Sequence, residues 1–279
     1  MPGSAIWLTS YPKSGNTWMR LALRSLSGGG KEIALTDIAR YGNIVNSRDV
    51  LDEVLETESG HLTEAEIALL RPTLHDALFA IGRPPSMVKV HDAWARTTTG
   101  RAMFDAHHTH ATIYMLRDPR DVAISWARFM NRSIDWAIGY LANPAATIRH
   151  GRRQLSSTVP QFLGAWSAHV GSWIDDSGLD PLVVRYEDMH ADLPATLRRV
   201  ADRIGWTPDD QAIAGAVVAT RFDRLAEQER RHGFGENPDT AERFFRAGRV
   251  GGWRDLLTPE QVATIERDHG AVMRRFGYL

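Results

Sequence analysis

Four short segments of the chain are almost wholly apolar, which is typical of strands buried on both faces of a sheet. Segments with helical periodicity lie between them. This alternation predicts a three-layer α/β/α fold, in which helices cover both faces of a central, mainly parallel sheet. The predicted strands are Ala5–Ser10, Met87–His91, Ala111–Arg117 and Leu182–Tyr186.

Several predicted helices have marked starts. Thr63 and Thr258 each open a capping-box pattern, in which a hydroxyl residue is followed three positions later by Glu or Gln. Thr207-Pro208 predicts a further helix whose first residue is the proline. The amphipathic segment Trp18–Leu26 is followed by a glycine run, which predicts a helix that ends there.

The length and composition predict the number of domains and exclude some kinds of chemistry. The chain has 279 residues, of which 43% are hydrophobic and 24% charged, and its net charge is −1. With no repeat or linker in it, we predict one domain over residues 1–279. The near-zero charge argues against a nucleic-acid partner. The absence of cysteine excludes disulfides and thiol catalysis.

The location of the protein is predicted from what the sequence lacks. No apolar run approaches the roughly 18 residues of a membrane span, and no signal-peptide pattern precedes the first strand. We therefore expect a cytoplasmic protein without a transmembrane segment. No motif reports the oligomeric state, and a homodimer is one of the alternatives.

The turn after the first strand has the residues of a phosphate-binding loop. Laid over the P-loop pattern G-x-x-x-x-G-K-S/T, Gly15 takes the second glycine and Thr17 the hydroxyl position. Asn16 replaces the lysine, and the cation lies earlier, at Lys13. A helix N-terminus offers unpaired N–H groups and a positive dipole end. The loop therefore predicts a phosphate-bearing ligand, which need not be Mg-ATP.

This loop, Tyr11–Trp18, resembles the 5′-phosphosulfate loop of the cytosolic-type sulfotransferases. A second segment, from Arg117 to Ser125 eight residues later, is similar to the 3′-phosphate motif of the same family. From the residues alone, the favoured interpretation of Arg117 is a structural ion pair with Asp118 or Asp121, at a helix start that Asp118 caps and Pro119 opens. The resemblance favours phosphate binding.

A basic, glycine-spaced segment near the C-terminus, Arg246–Arg254, resembles the family block R-K-G-x-x-G-x-W-K. Ala247 stands where the family has lysine, and Arg249 is a candidate to replace the lost cation. Tyr186 and Phe222 lie in segments similar to family blocks that surround the adenine.

The resemblance covers nearly the whole chain and implies one sulfotransferase domain that uses 3′-phosphoadenosine 5′-phosphosulfate (PAPS) as co-substrate and releases adenosine 3′,5′-bisphosphate (PAP). No metal is implied. The implied co-substrate-binding residues are Lys13, Ser14, Gly15, Asn16, Thr17, Trp18, Arg117, Ser125, Tyr186, Thr220, Phe222, Arg246, Ala247 and Gly248.

The implied catalytic residues are Lys13, His91 and Ser125. Met87–His91 ends in the family's Lys-x-His, whose histidine is the general base, and an imidazole suits proton transfer near neutral pH. Lys13 would stabilise charge on the leaving phosphate, and Ser125 would hold Lys13 until an acceptor binds. Asp92 departs from the family pattern, in which the position is commonly apolar.

Two alternatives stay open on the sequence. One is an ATP-Mg phosphotransferase with Asp118 as magnesium ligand; the other is a catalytically silent nucleotide-binding protein. His107, His108 and His110 could be read as a metal cluster, but we treat them as loop residues because no carboxylate spacing completes the site.

The acceptor is predicted only as a class, a hydroxyl or amine of a small molecule, with an alcohol or phenol favoured. The segments expected to cover it, 41–85, 131–157 and 227–245, carry no readable motif. The polar, glycine-containing segment 227–245 could form a flap over the site, or an ordinary surface connection.

Overall fold

The computed structural model describes residues 3–38, 44–79, 84–148, 156–236, 243–246 and 248–279. As predicted, a central parallel sheet is flanked by helices. The strands are β1 (Ala5–Ser10), β2 (Ser86–Val90), β3 (Thr109–Leu116), β4 (Thr147–Ile148), β5 (Gln161–Phe162) and β6 (Leu182–Arg185).

The main sheet has four strands in the order β2-β1-β3-β6, and β4 and β5 form a separate antiparallel pair. β1 runs parallel to β2, with Ala5 opposite Ser86 and Thr9 opposite Val90. All six residues of β1 are buried, which explains the continuous apolar run. β3 begins two residues earlier than expected, so His110 lies in a strand and its prediction as a loop residue was wrong.

Helices form most of the remaining described chain. Among them, none combines the length and the apolar character needed to cross a bilayer. The α-helices are α1 (Asn16–Ser27), α2 (Leu35–Ile38), α3 (Arg48–Leu55), α4 (Glu64–Leu78), α5 (Pro119–Phe129), α6 (Ile134–Leu141), α7 (Trp166–Gly171), α8 (Tyr186–Ala191), α9 (Leu193–Arg203), α10 (Asp210–Ala219), α11 (Phe222–His232) and α12 (Pro259–Arg275).

Helix starts follow the capping residues closely. The capping boxes at Thr63 and Thr258 are confirmed, with both reciprocal hydrogen bonds present. Thr207-Pro208 was wrong as a helix start, because α10 begins at Asp210. The reason is Asp209, whose carboxylate accepts a hydrogen bond from the N–H of Ala212 at 2.7 Å and so caps the helix two residues further on.

Contacts group the chain into two units. In the first, the ring of Trp7 in β1 contacts His75, Phe79 and Phe104, and Phe104 packs on Trp173. These rings fill the core beside β1 and fix the strand that leads to the phosphate-binding loop. This unit comprises Met1–Tyr11, Tyr41–Tyr114 and Pro144–Leu182.

The second unit carries the loop and the helices around it. Its core includes Leu21 of α1, Leu225 of α11 and the buried ring of Phe234, with Phe244 and Phe245 packed against them. Helix α1 also lies along α10, and α5 packs on both α6 and α12. This unit comprises Pro12–Arg40, Met115–Asn143 and Val183–Leu279.

The close approach of α1 and α10 depends on Gly30, which has a φ of +81°. A Cβ there would lie 2.8 Å from the carbonyl oxygen of Ala212 and 2.9 Å from the Cα of Gly215. Gly29 has a similar φ of +73°, but nothing lies within 4 Å of its would-be Cβ.

We expect Gly29→Ala to lower the free energy of unfolding by about 1–2 kcal/mol, the cost of a left-handed alanine. Gly30→Ala should lower it by a further 1–3 kcal/mol or so, because the methyl group also meets backbone atoms. Urea unfolding of the two variants measures the difference. Equal losses would contradict the contact between α1 and α10.

Candidate active site

The loop between β1 and α1 is held in an unusual backbone conformation. Lys13 has a φ of +68° and Gly15 a φ of +96°, both in the left-handed region. A left-handed residue other than glycine costs on the order of 1–3 kcal/mol, and such strain is concentrated at functional sites. Gly15 must be glycine, because a Cβ there would lie 2.6 Å from the ring of Tyr186.

The N-terminus of α1 is suited to an anion. Gly15 is its N-cap residue, no side chain caps the helix, and its first turn contains no acidic residue. Ser14, Asn16 and Thr17 are buried around this helix start. The hydroxyl of Ser14 has no hydrogen-bond partner among the described residues, although Ser14 is only 1% exposed. A phosphate oxygen would satisfy such a donor.

The ammonium group of Lys13 lies between two aromatic rings. Its Nζ is 4.2 Å from the ring centroid of Phe129 and 3.8 Å from that of Phe244. Cation–π contacts of this kind hold a positive charge without neutralising it. Phe129 is the last residue of α5, one helical turn beyond the half-buried Ser125. Sequence reasoning missed both rings, although Phe129 has i, i+4 spacing from Ser125.

The ring of Phe244 is fixed by a buried carboxylate. Glu229 of α11, which is 7% exposed, accepts hydrogen bonds from the backbone N–H groups of Phe244 and Phe245 at 2.6 and 2.9 Å. Both rings also contact Phe234. The two ends of the segment that could form a flap, 227–245, are therefore tied together where they are described.

Arg117 links three parts of the second unit. Its Nη1 donates to the carbonyl oxygen of Lys13 at 3.1 Å, and its Nη2 donates to that of Arg249 at 3.0 Å. The guanidinium lies 4.2 Å from the centroid of the Tyr186 ring. Its Nε is buried and has no hydrogen-bond partner in the described part of the chain. This donor is available to a ligand.

Asp121 anchors the glycine-spaced segment to α5. Its carboxylate accepts from the N–H groups of Gly251 and Trp253 at 2.8 and 2.9 Å. Burial raises the pKa of Asp121, while the charge of Arg117 and the two N–H groups act in the opposite direction. Nη2 of Arg117 is 4.0 Å from the carboxylate, so this pair is looser than a direct salt bridge at hydrogen-bond distance.

Three rings cluster beside Gly15. Trp18 contacts Tyr186 and His190 edge-to-face, with centroid distances of 5.7 and 4.9 Å, and Tyr186 contacts His190 at 4.7 Å. Burial, and secondarily the charge of Arg117, lowers the pKa of His190 and so favours its neutral form. Sequence reasoning missed His190, although its i, i+4 spacing from Tyr186 on α8 was readable.

The other implied co-substrate residues are placed differently from one another. Thr220 is buried, and its hydroxyl donates to the carbonyl of Ala216 at 2.8 Å. The exposed ring of Phe222 covers Gly248, where a Cβ would lie 2.5 Å from it. Arg246 is exposed. Ala247 lies outside the described residues.

Asp118 is used as a helix cap. Its carboxylate accepts from the backbone N–H of Arg120 at 2.9 Å and from Nε and Nη2 of the same residue at 2.9 and 2.8 Å. Both oxygens are thus engaged within the fold. This arrangement does not favour the phosphotransferase alternative, which needs Asp118 as a magnesium ligand.

The three histidines that we treat as loop residues do not share one site, although the rings of His107 and His108 are in contact, with a centroid distance of 5.4 Å. His108 lies in a turn with its Nε2 2.9 Å from Asp76, and His110 belongs to β3. Within the described ranges, no group of three or more His, Asp or Glu side chains is arranged to hold a metal ion.

In the first unit, His91 directly follows β2 and is half-buried. Its Nδ1 is 2.9 Å from the carbonyl oxygen of Ser10 and 3.2 Å from the hydroxyl of the same residue. Because a carbonyl can only accept, Nδ1 carries the proton in this contact. In the neutral imidazole the lone pair then lies on Nε2, which is the form a general base requires.

Asp92, the departure from the family pattern, forms a buried ion pair. Its two oxygens accept from Nη1 and Nη2 of Arg71 at 2.6 and 2.9 Å, and both side chains are only 3% exposed. Arg71 Nη2 also donates to Asn46 at 2.6 Å. The carboxylate next to His91 is therefore satisfied inside the fold.

Comparison with known proteins identifies the class. A family model described as the sulfotransferase domain matches residues 4–277. Flavonol 3-sulfotransferase of Flaveria bidentis is 22% identical over 275 residues, which cover 94% of this chain and 79% of that protein. Cytosolic sulfotransferase 16 of Arabidopsis thaliana is 27% identical over 176 residues, covering 59% of this chain and 50% of the relative.

A solved structure of retinol dehydratase in complex with androsterone and the inactive cofactor PAP is also similar. It superposes with a TM-score of 0.62 at 19% identity, over 97% of this chain and 80% of that one. The chain belongs to the sulfotransferase domain family. These findings confirm the predicted family, the PAPS-dependent sulfotransferase class and the α/β fold.

We expect Asp121→Ala to lower the free energy of unfolding by about 2–4 kcal/mol, because it leaves two partly buried N–H groups without their acceptor. Limited proteolysis should also cut faster between Gly248 and Trp253. Asp223→Ala, which removes an exposed carboxylate at the start of α11, is the control and should change neither readout. Equal behaviour of the two variants would contradict the anchoring role of Asp121.

Proposed function

We propose that the chain binds PAPS in the second unit and transfers its sulfuryl group to a hydroxyl group of a small-molecule alcohol or phenol. The observation that carries this proposal is the position of Arg117, whose guanidinium joins the backbone of the Lys13 loop to that of Arg249. One cation thereby holds two loops that are each suited to bind an anion. This arrangement matches a nucleotide that carries anionic groups at both its 3′ and 5′ positions.

The proposed contacts divide into three groups. The helix start at Ser14–Thr17 would hold the 5′-phosphosulfate, and the unpartnered hydroxyl of Ser14 supports this. Arg117, Ser125 and the 246–248 segment would hold the 3′-phosphate. The rings of Trp18, Tyr186 and Phe222, with Thr220, would contact the adenine, since a purine stacks well on aromatic faces.

Lys13 would act on the leaving group. As the bond between sulfur and the bridging oxygen breaks, negative charge grows on the departing PAP, and the ammonium group stabilises that charge more than the ground state. Its present position supports the role, because the ammonium group lies over the rings of Phe129 and Phe244, and cation–π contacts leave its charge intact. Ser125 lies one turn before Phe129 on α5, and from that helix it would position Lys13.

His91 would act on the acceptor. Its Nε2 takes the proton of the acceptor hydroxyl as the new oxygen–sulfur bond forms, and the imidazolium that results shares its Nδ1 proton with Ser10. The transfer needs no covalent enzyme intermediate and no metal. An amine acceptor would be handled in the same way after it loses its proton.

The wider assignment follows from the family. A single domain is proposed, since the family model runs through both units. A flavonol and androsterone, named with the relatives, are both hydroxylated ring compounds, which supports an alcohol or phenol acceptor. The resemblance to a cytosolic enzyme supports a cytoplasmic location.

Calorimetry should show PAP binding at least about tenfold more tightly than ADP with Mg²⁺. Arg117→Ala should weaken PAP by about 100-fold, because a charge-assisted hydrogen bond to the 3′-phosphate is lost, and weaken adenosine 5′-monophosphate much less. Arg128→Ala, an exposed arginine on the same helix, is the control. A preference for ADP with Mg²⁺, or equal losses on both nucleotides, would contradict the proposal.

With labelled donor and a screened acceptor, His91→Ala should lower kcat by about 10²–10⁴-fold, the usual contribution of a general base, and leave PAP affinity unchanged. Lys13→Ala should lower kcat to a similar extent. The control is His61→Ala, an exposed histidine of the same unit as His91. If His91→Ala turns over as fast as His61→Ala, another group is the base.

A further inference from the structure

Two fully buried side chains beside His91 have no part in the mechanism above. Tyr114 lies in β3 and His169 in α7, and both are 0% exposed. The Tyr114 hydroxyl is 2.8 Å from Nδ1 of His169. On the other side of the same ring, Nε2 is 3.0 Å from the backbone carbonyl oxygen of His91. The three residues form a row of hydrogen bonds within the first unit.

Each hydrogen bond in this row can have only one direction. The carbonyl of His91 can only accept, so Nε2 of His169 carries a proton. Burial lowers the pKa of His169 to about 4, so the ring is neutral and has no second N–H. Its Nδ1 must then accept from Tyr114, whose pKa burial raises well above the usual value and which stays protonated.

The Tyr114 end of this row of hydrogen bonds reaches the start of the phosphate-binding loop. The Tyr114 hydroxyl interacts with the backbone of Tyr11, and the Tyr11 ring packs edge-to-face on His169 with a centroid distance of 5.4 Å. Tyr11 is the residue after Ser10, whose carbonyl accepts from the imidazole of His91. The ring and the backbone of His91 are therefore both tied to the end of β1.

The position of His91 makes this tie important. The pairing of β1 with β2 ends at Val90, so His91 lies one residue beyond the last paired position. Its carbonyl is held instead by His169. A shift of about 1 Å in a catalytic group can cost roughly 100-fold in rate.

We propose that Tyr114 and His169 are positioning residues for the reaction. They hold the carbonyl of His91, and through it the imidazole, in the Nδ1–H tautomer directed at Ser10. The inference rests on the proposed function, in which His91 is the general base. A purely structural pair would change stability without changing the tautomer or the turnover of the folded enzyme.

The first measurement is made on the 279-residue protein without any substrate. Nitrogen NMR of the imidazole should report the Nδ1–H tautomer for His91 in the unmodified protein. In His169→Leu, the Nε2–H form should become populated to a substantial fraction. The matched control is His75→Leu, which removes an equally buried histidine of the same unit whose Nδ1 contacts the carbonyl of Met103. It should leave His91 unchanged.

The second measurement is turnover per PAP-binding site, at a temperature where each variant is folded. His169→Leu should lower kcat by about 10–100-fold and change the KM for PAPS by less than about twofold. His169→Gln should recover most of the loss, because its amide N–H can reach the same carbonyl. Tyr114→Phe keeps the ring and should show a smaller loss of kcat. It replaces His169→Leu in this test if that variant does not fold.

Four results separate the possible outcomes. In a His91→Ala background, His169→Leu should cause no further loss of kcat, and an additive loss would overturn the positioning role. Equal kcat values for His169→Leu and His75→Leu would overturn it as well. Full activity of His91→Ala alone would refute the proposed general base. An unchanged His91 tautomer in His169→Leu would refute only the positioning role of His169 and would leave the proposed base standing.

Discussion

The candidate site depends on one guanidinium group. Arg117 contacts the carbonyl oxygens of Lys13 and Arg249, and its face lies on the ring of Tyr186. Each carbonyl belongs to a loop that contains left-handed residues and has little regular structure of its own. Without this cation, the two loops would lack a common attachment. A ligand anion that binds here meets a cation whose place is already fixed, so little ordering cost is left to the binding step.

The fold was largely predictable because burial and capping are local signals. The four strands of the main sheet were predicted within two residues at each end, since strands buried on both faces are continuous apolar runs. The capping boxes at Thr63 and Thr258 were equally clear. The wrong start at Thr207-Pro208 arose because two adjacent signals competed, and the carboxylate of Asp209 was the stronger cap.

The site was predictable only where a motif lies within one segment. Lys13, Gly15 and Arg117 stand in short blocks with fixed spacing. The aromatic pair around Lys13 could not be read in this way, because Phe129 and Phe244 are far apart in the sequence and meet only in the folded unit. The same holds for the hydrogen bonds of the His169 ring, whose partners lie in β3 and directly after β2. Such contacts depend on tertiary packing, and no periodic pattern of residues along a single sequence reveals them.

The ion pair between Arg71 and Asp92 has an evolutionary consequence. Each side chain is buried and neutralises the other, and removal of one partner leaves a charge in a medium that solvates it poorly. The two positions are therefore expected to change together among related chains. Where an apolar residue follows the histidine that we propose as the base, the arginine on α4 should also be absent. This coupled exchange offers a way to sort sequences of this type into lineages that share the buried pair and lineages that do not.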